Sequence, residues 1–158
     1  MTTIGLCVAR EHDGEAMAGR RALMVVLAAL GAVPLVTGLA GLLIGPAFIP
    51  GGASTPVSVD NNYRFVVAYW LAAGVGLWWS LFRLEQRAIV TRAILVIAVV
   101  GGFGRLMSVM AVGWPNPVFG TALVLELVGL PLVVWWHARV VRAGVGHREP
   151  VTVGQPVE

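Results

Sequence analysis

The chain has 158 residues, of which 58% are hydrophobic and 12% charged, with a mean hydropathy of +0.83 and a formal net charge of +3. A soluble domain carries about a quarter charged residues, so this balance excludes a water-soluble enzyme core and describes a chain dissolved in lipid. All eleven basic residues are arginine and none is lysine, which with the heavy Ala, Val and Gly usage points to a GC-rich bacterium of actinomycete type and says nothing about chemistry.

Ahead of the first apolar block lies the single cysteine, Cys7, which has no intrachain disulfide partner. Ile4-Gly5-Leu6-Cys7 looks like a lipoprotein cleavage box, but no charged segment and apolar run precede it, so we read an ordinary free thiol. The apolar residues then fall into four blocks of about 20 residues, the length that crosses ~30 Å of hydrocarbon at ~1.5 Å per residue. The first predicted span covers residues 22–44, directly after Arg20-Arg21. Its Gly38-Leu39-Ala40 and paired arginines mimic a secretory signal, yet the run is longer than a signal core of about 7–15 residues, so an uncleaved signal anchor is expected. Pro34 removes one helical hydrogen bond and should kink it. After a Pro- and Gly-rich connection over residues 45–56, the second span is predicted over residues 63–81, with Asp60 or an asparagine placed to cap its start. The third covers residues 93–112, and Gly113-Trp114-Pro115-Asn116-Pro117 turns the chain into the fourth, residues 118–137, where Gly129-Leu130-Pro131 marks a kink.

The expectation is therefore an all-α antiparallel bundle of four transmembrane helices over residues 22–140, with a cytoplasmic N-terminal segment (1–21) and a cytoplasmic C-terminal tail (141–158). Arginine favours cytoplasmic flanks, and nine arginines fall on one side: Arg10, Arg20 and Arg21, then Arg83, Arg87 and Arg92, then Arg139, Arg142 and Arg148. The opposite loops, 45–62 and 113–117, carry only Asp60, so both termini are expected inside. Small residues that let backbones approach, Gly41 with Gly45, then Ala68, Ala72 and Gly76, then Ala98 and Gly102, should form the packing faces, within the chain in preference to a dimer interface. The tryptophans Trp70, Trp78, Trp79, Trp114, Trp135 and Trp136 lie mostly near span ends, as interfacial rings do, and do not form a cofactor cage.

Arg105 and Glu126 interrupt two of the spans, and ionisable groups at membrane depth survive mainly when paired. Arg105 lies ~10 Å below the end of its span and Glu126 ~12 Å below the matching end of the next, so the two are level on adjacent antiparallel helices. Near the same face, Asp60-Asn61-Asn62-Tyr63-Arg64-Phe65 opens the second span, and Arg64 can reach Asp60, Glu126 or a lipid phosphate. The expected intramembrane polar site is Asp60, Asn62, Tyr63, Arg64, Arg105 and Glu126. As structure it would be an ion-pair network that fixes helix docking; as function it would be a pocket for a lipid headgroup or other ligand, or a transport or catalytic site. Catalysis has little behind it: no His/Cys spacing suits a metal, no serine nucleophile motif occurs, and Gly101-Gly102-Phe103-Gly104 sits inside a span where helix packing explains it. His137 lies at the far end of its span from Glu126, and His12 and His147 are in polar tails. No catalytic residue, metal, cofactor or nucleic-acid partner is expected.

The Asp60-Asn61-Asn62-Tyr63-Arg64-Phe65 opening of the second span, Gly101-Gly102-Phe103-Gly104-Arg105-Leu106-Met107-Ser108 in the third and Glu126 in the fourth resemble an uncharacterised bacterial family of small four-helix membrane proteins, a domain of unknown function. The resemblance covers residues 22–140 and implies the architecture and the polar positions without an activity. Two functions follow. One is a non-enzymatic accessory or stabilising subunit packed against other integral membrane subunits of a larger inner-membrane complex, in contact with membrane lipids. The other is a stand-alone small carrier or lipid-binding protein using Arg105 and Glu126. The inferred origin and the resemblance together imply a lipid importer of the mammalian-cell-entry type as the complex.

Overall fold

The computed structural model describes residues 3–146, with side chains described for Gly14 and residues 17–143. The side chains of Cys7, Arg10 and His12, and all of His147, Arg148 and the rest of the tail, lie outside the described residues. Within the described residues all regular structure is helical: α1 (Thr3–Ile44), α2 (Val57–Leu81), α3 (Ala88–Val112), α4 (Pro117–Val124) and α5 (Leu130–Gly146), the last two joined by a π turn, Leu125–Gly129. Four stretches are long and apolar enough to cross a membrane: Met17–Phe48, Val57–Leu81, Ala88–Val112 and Pro117–Ala143.

Each boundary has a local cause. α1 begins well before residue 22, because residues 3–21 include three Ala, two Glu and three Arg, all good helix formers, and contain no proline. It runs on through Pro34 to Gly45, whose φ of +77° ends the α geometry at a short 3₁₀ turn, Gly45–Phe48. α2 starts at Pro56, whose carbonyl accepts from the Val59 and Asp60 amides. Asp60, Asn61 and Asn62 therefore lie inside the first turns and not at the cap, a correction to the expected start at Tyr63. Asp60 instead places its charge at the positive end of the helix dipole. α4 opens as a sequence reader would wish, with Pro117 in its first turn and the Asn116 side chain accepting from the Val118 amide at 3.1 Å.

The expected kink in the last span takes a specific form. Pro131 has no N–H for the Leu127 carbonyl, and its ring would crowd that carbonyl in a regular helix. The preceding turn widens, and the Leu130 amide bonds Leu125 one residue farther back than α geometry allows. Glu126 sits in this widened turn.

Neighbouring helices run in opposite directions. Along α1 and α2, the Trp78 indole donates to the Ala28 carbonyl (3.1 Å), Trp70 to the Thr37 hydroxyl (2.9 Å), and Arg64 to the Leu42 carbonyl, so rising numbers meet falling ones. Across α2 and α3, Gly76 lies against Ile94, and the Thr91 hydroxyl donates to that of Ser80 at 2.9 Å. α3 in turn packs on α4, the π turn and α5, and α5 closes back on α1, whereas among the described residues α4 reaches neither α1 nor α2. The buried centre lies toward the arginine-rich end, where Leu23, Leu27, Leu77, Leu84, Leu95 and Leu130 cluster. Toward the other end the two hairpins part. Seven residues from Gly76 on the same face, Tyr69 is exposed; seven from Ile94, a side chain at Gly101 would meet nothing within 4 Å.

Close approach between α1 and α2 runs through glycines the sequence did not single out. A Cβ on Gly38 would stand 2.9 Å from the Leu71 Cα, and one on Gly74 2.9 Å from the Leu35 amide nitrogen. Gly41 (against Tyr63), Gly76, Ala98 and Gly102 do pack within the chain, but Ala68 and Ala72 are exposed on the outer face of α2. Gly38→Ala should therefore force backbones apart and cost roughly 1–3 kcal/mol. Gly104→Ala, with open space around it, should be neutral or stabilising by up to about 1 kcal/mol. Thermal melts of the two variants in one detergent check the opposite signs.

Candidate functional site

Arg105 and Glu126 meet. Arg105 Nε donates to Glu126 Oε2 at 2.9 Å and to Oε1 at 3.2 Å. The approach depends on Gly102, one turn before Arg105: a Cβ there would stand 2.8 Å from the Glu126 Cβ. Side-chain exposure is 10% for Glu126 and 40% for Arg105, so the carboxylate relies on the pair far more than the guanidinium does. The guanidinium carbon lies 5.5 Å from the centre of the Phe119 ring, on the Pro117 side of Glu126, so the arginine leans toward the near end of the bundle. Only Nε of Arg105 has a partner among the described residues; both terminal nitrogens are unused.

Arg64, by contrast, has a partner for each of its three nitrogens. Nε donates to Asp60 Oδ2 at 3.0 Å, Nη2 to Asp60 Oδ1 at 3.3 Å, and Nη1 to the carbonyls of Leu42 and Leu43. These carbonyls belong to the last turn of α1, where no intrahelical amide remains to bond them, so Arg64 acts as a cap delivered by the neighbouring helix. The expected six-residue site thus divides. Asp60 and Arg64 tie α2 to the end of α1, Tyr63 packs beside Gly41, and Asn62 is exposed. No hydrogen bond or ion pair joins this group to Arg105 and Glu126 among the described residues.

A third polar group was missed. His137, fully buried, accepts at Nδ1 from Arg92 Nε (3.3 Å), and its Nε2 has no partner. The accepting Nδ1 fixes the neutral tautomer with the proton on Nε2. Ser80 and Thr91, also fully buried, bond each other nearby in sequence terms, at the junction of α2 and α3. A signal existed: stepping thirteen residues back from Arg105 and eleven forward from Glu126 along the hairpin, comparable distances on antiparallel helices, arrives at Arg92 and His137. At the same end Arg87 stacks on Trp79 (3.5 Å) and Arg139 on Trp135 (4.0 Å), and Arg20 approaches Glu85 at 3.9 Å. Among the described residues no three His, Cys, Asp or Glu side chains gather as a metal site would require.

Four spans tied by internal polar contacts define a multi-pass membrane protein. Residues 22–137 match a family described as a domain of unknown function, DUF4345, and the chain belongs to that family. No curated protein and no solved structure matches it.

If the pair couples the two helices, removing one member strands the other in hydrocarbon at a cost of roughly 3 kcal/mol. Arg105→Leu and Glu126→Leu should each lower folded yield, and the double change should lower it less than the two losses added. Measured in a double-mutant cycle by denaturation in detergent, strictly additive losses would exclude the coupling.

Proposed function

We propose that the chain is a non-enzymatic accessory subunit of a larger bacterial inner-membrane complex, inserted with both termini in the cytoplasm. The observation that carries this is the uncovered outer face of α2. There Phe65, Ala68, Ala72, Val75 and Trp79 recur at helical spacing and are all exposed. Small residues flanked by large ones are what membrane helices use to pack on one another, because lipid tails supply no hydrophobic drive for association. The polar side chains support a structural reading as well: Asp60 with Arg64, Arg105 with Glu126, and Arg92 with His137 are bonded to each other, which leaves no acid, base or nucleophile poised for a reaction. The extension to a lipid-handling complex of the mammalian-cell-entry type rests on the actinomycete-type composition of the chain.

Tagged full-length protein, extracted from native membranes in mild detergent, should migrate with other integral subunits identifiable by mass spectrometry. Ala68→Leu with Ala72→Leu should release them while the melt stays unchanged. Migration of the chain alone, together with substrate flux in liposomes holding only this protein and lost in Glu126→Gln, would replace this reading with the carrier.

The cytoplasmic termini rest on the arginines, which cluster at the end of the bundle where Arg20 approaches Glu85 and Arg92 bonds His137. Ser54→Cys, in the connection at the opposite end, should react with an impermeant thiol reagent from the external side. Labelling from the cytoplasmic side alone would reverse the orientation.

A further inference from the structure

The two intramembrane arginines differ in how much of their hydrogen-bonding capacity the chain itself satisfies. All three nitrogens of Arg64 have partners. Arg105 spends Nε on Glu126 and leaves Nη1 and Nη2, with four N–H groups, without an acceptor among the described residues. It lies seven residues before the end of α3, about 10 Å along the helix, where hydrocarbon provides no acceptor and an unmet donor is costly. The side chain is 40% exposed, so the missing acceptor must come from outside the chain.

The surface below Arg105 indicates its shape. Gly101, one helical turn deeper on the same face, and the adjacent Gly104 have nothing within 4 Å of where a side chain would begin, and Ile97 beyond them is exposed. From the Val112 end toward the middle of the membrane, α3 therefore presents polar donors, then bare backbone, then an apolar side chain. A phospholipid in that leaflet has the same order: phosphate and glycerol-ester oxygens, then the start of an acyl chain. This order holds whichever side of the membrane that end faces.

We propose that α3 carries a phospholipid site in which the Arg105 Nη groups donate to the phosphate or glycerol-ester oxygens and an acyl chain lies along Gly104 and Gly101. Glu126 acts as the positioning residue: by holding Nε it turns the Nη edge outward. Because Arg105 and Glu126 together are neutral, the site reads oxygen acceptors and not net charge, so phosphatidylglycerol and phosphatidylcholine bind within about threefold of each other. The site is on α3 and is independent of the partner face on α2.

Native mass spectrometry of the purified full-length chain, titrated with dioleoyl phosphatidylglycerol or dioleoyl phosphatidylcholine, tests this. The wild type should retain one lipid of either kind. Arg105→Gln should weaken retention about tenfold, the loss expected for a charge-assisted hydrogen bond. Gly101→Leu with Gly104→Leu, which fills open space and leaves every bonded group in place, should weaken it as much without lowering the melt. Retention equal in all three proteins would overturn the proposal. So would displacement of the lipid by inorganic phosphate alone, which would make the site an anion site, or an Arg105-dependent adduct that proves to be a protein.

Discussion

Hydrocarbon supplies neither donors nor acceptors, and that single constraint orders most of what is seen in this bundle. Most of the polar side chains described within the spans are answered by another part of the chain, the Arg105 terminal nitrogens and His137 Nε2 being exceptions, and the answers are what lock the helices in register. Trp78 and Trp70 bind α2 to α1, Arg64 closes the open carbonyls at the end of α1, Thr91 and Ser80 join α3 to α2, and Arg105 and Arg92 join α3 to the last span. In water such contacts would contribute little, because the solvent competes for every one of them. In lipid they take over from the hydrophobic effect, which does not distinguish helix from tail.

The pair of Arg105 and Glu126 was legible in the sequence because three facts fix it: two charges inside apolar runs, equal depth, and a connection short enough to force adjacency. The register of α1 on α2 was not, since residues 45–56 are long enough to permit several offsets. For the same reason Gly38 and Gly74, which lie in the interface, could not be told from Ala68 and Ala72, which face outward. A small residue announces that a backbone can come close, and says nothing of which side it comes from. Arg64 was matched to Asp60, as found, but its other partners, the Leu42 and Leu43 carbonyls, were not legible, because they are main-chain groups and every residue carries one of those. Pro131 did announce an irregularity, but its consequence, a widened turn that includes Glu126, depends on how the chain relieves the clash.

The two halves of the molecule are built for different ends. At the arginine-rich end, leucines from all four spans fill the centre and the buried His137, Ser80 and Thr91 are enclosed. At the other, among the described residues, α4 packs on α3 and the π turn that follows it and not on α1 or α2, so Arg105 is held by Glu126 yet faces outward. The bundle is thus closed at one end and open along its side at the other.

The account stands or falls on the contact between α3 and the π turn within a bilayer. Solid-state NMR of full-length protein in phospholipid, with the Arg105 Nε and the Glu126 carboxyl carbon isotopically labelled, measures it directly. The account predicts a strong dipolar coupling consistent with the 2.9 Å hydrogen bond. Absence of that coupling in protein that remains folded would show that the two groups find other partners in the membrane, and would contradict it.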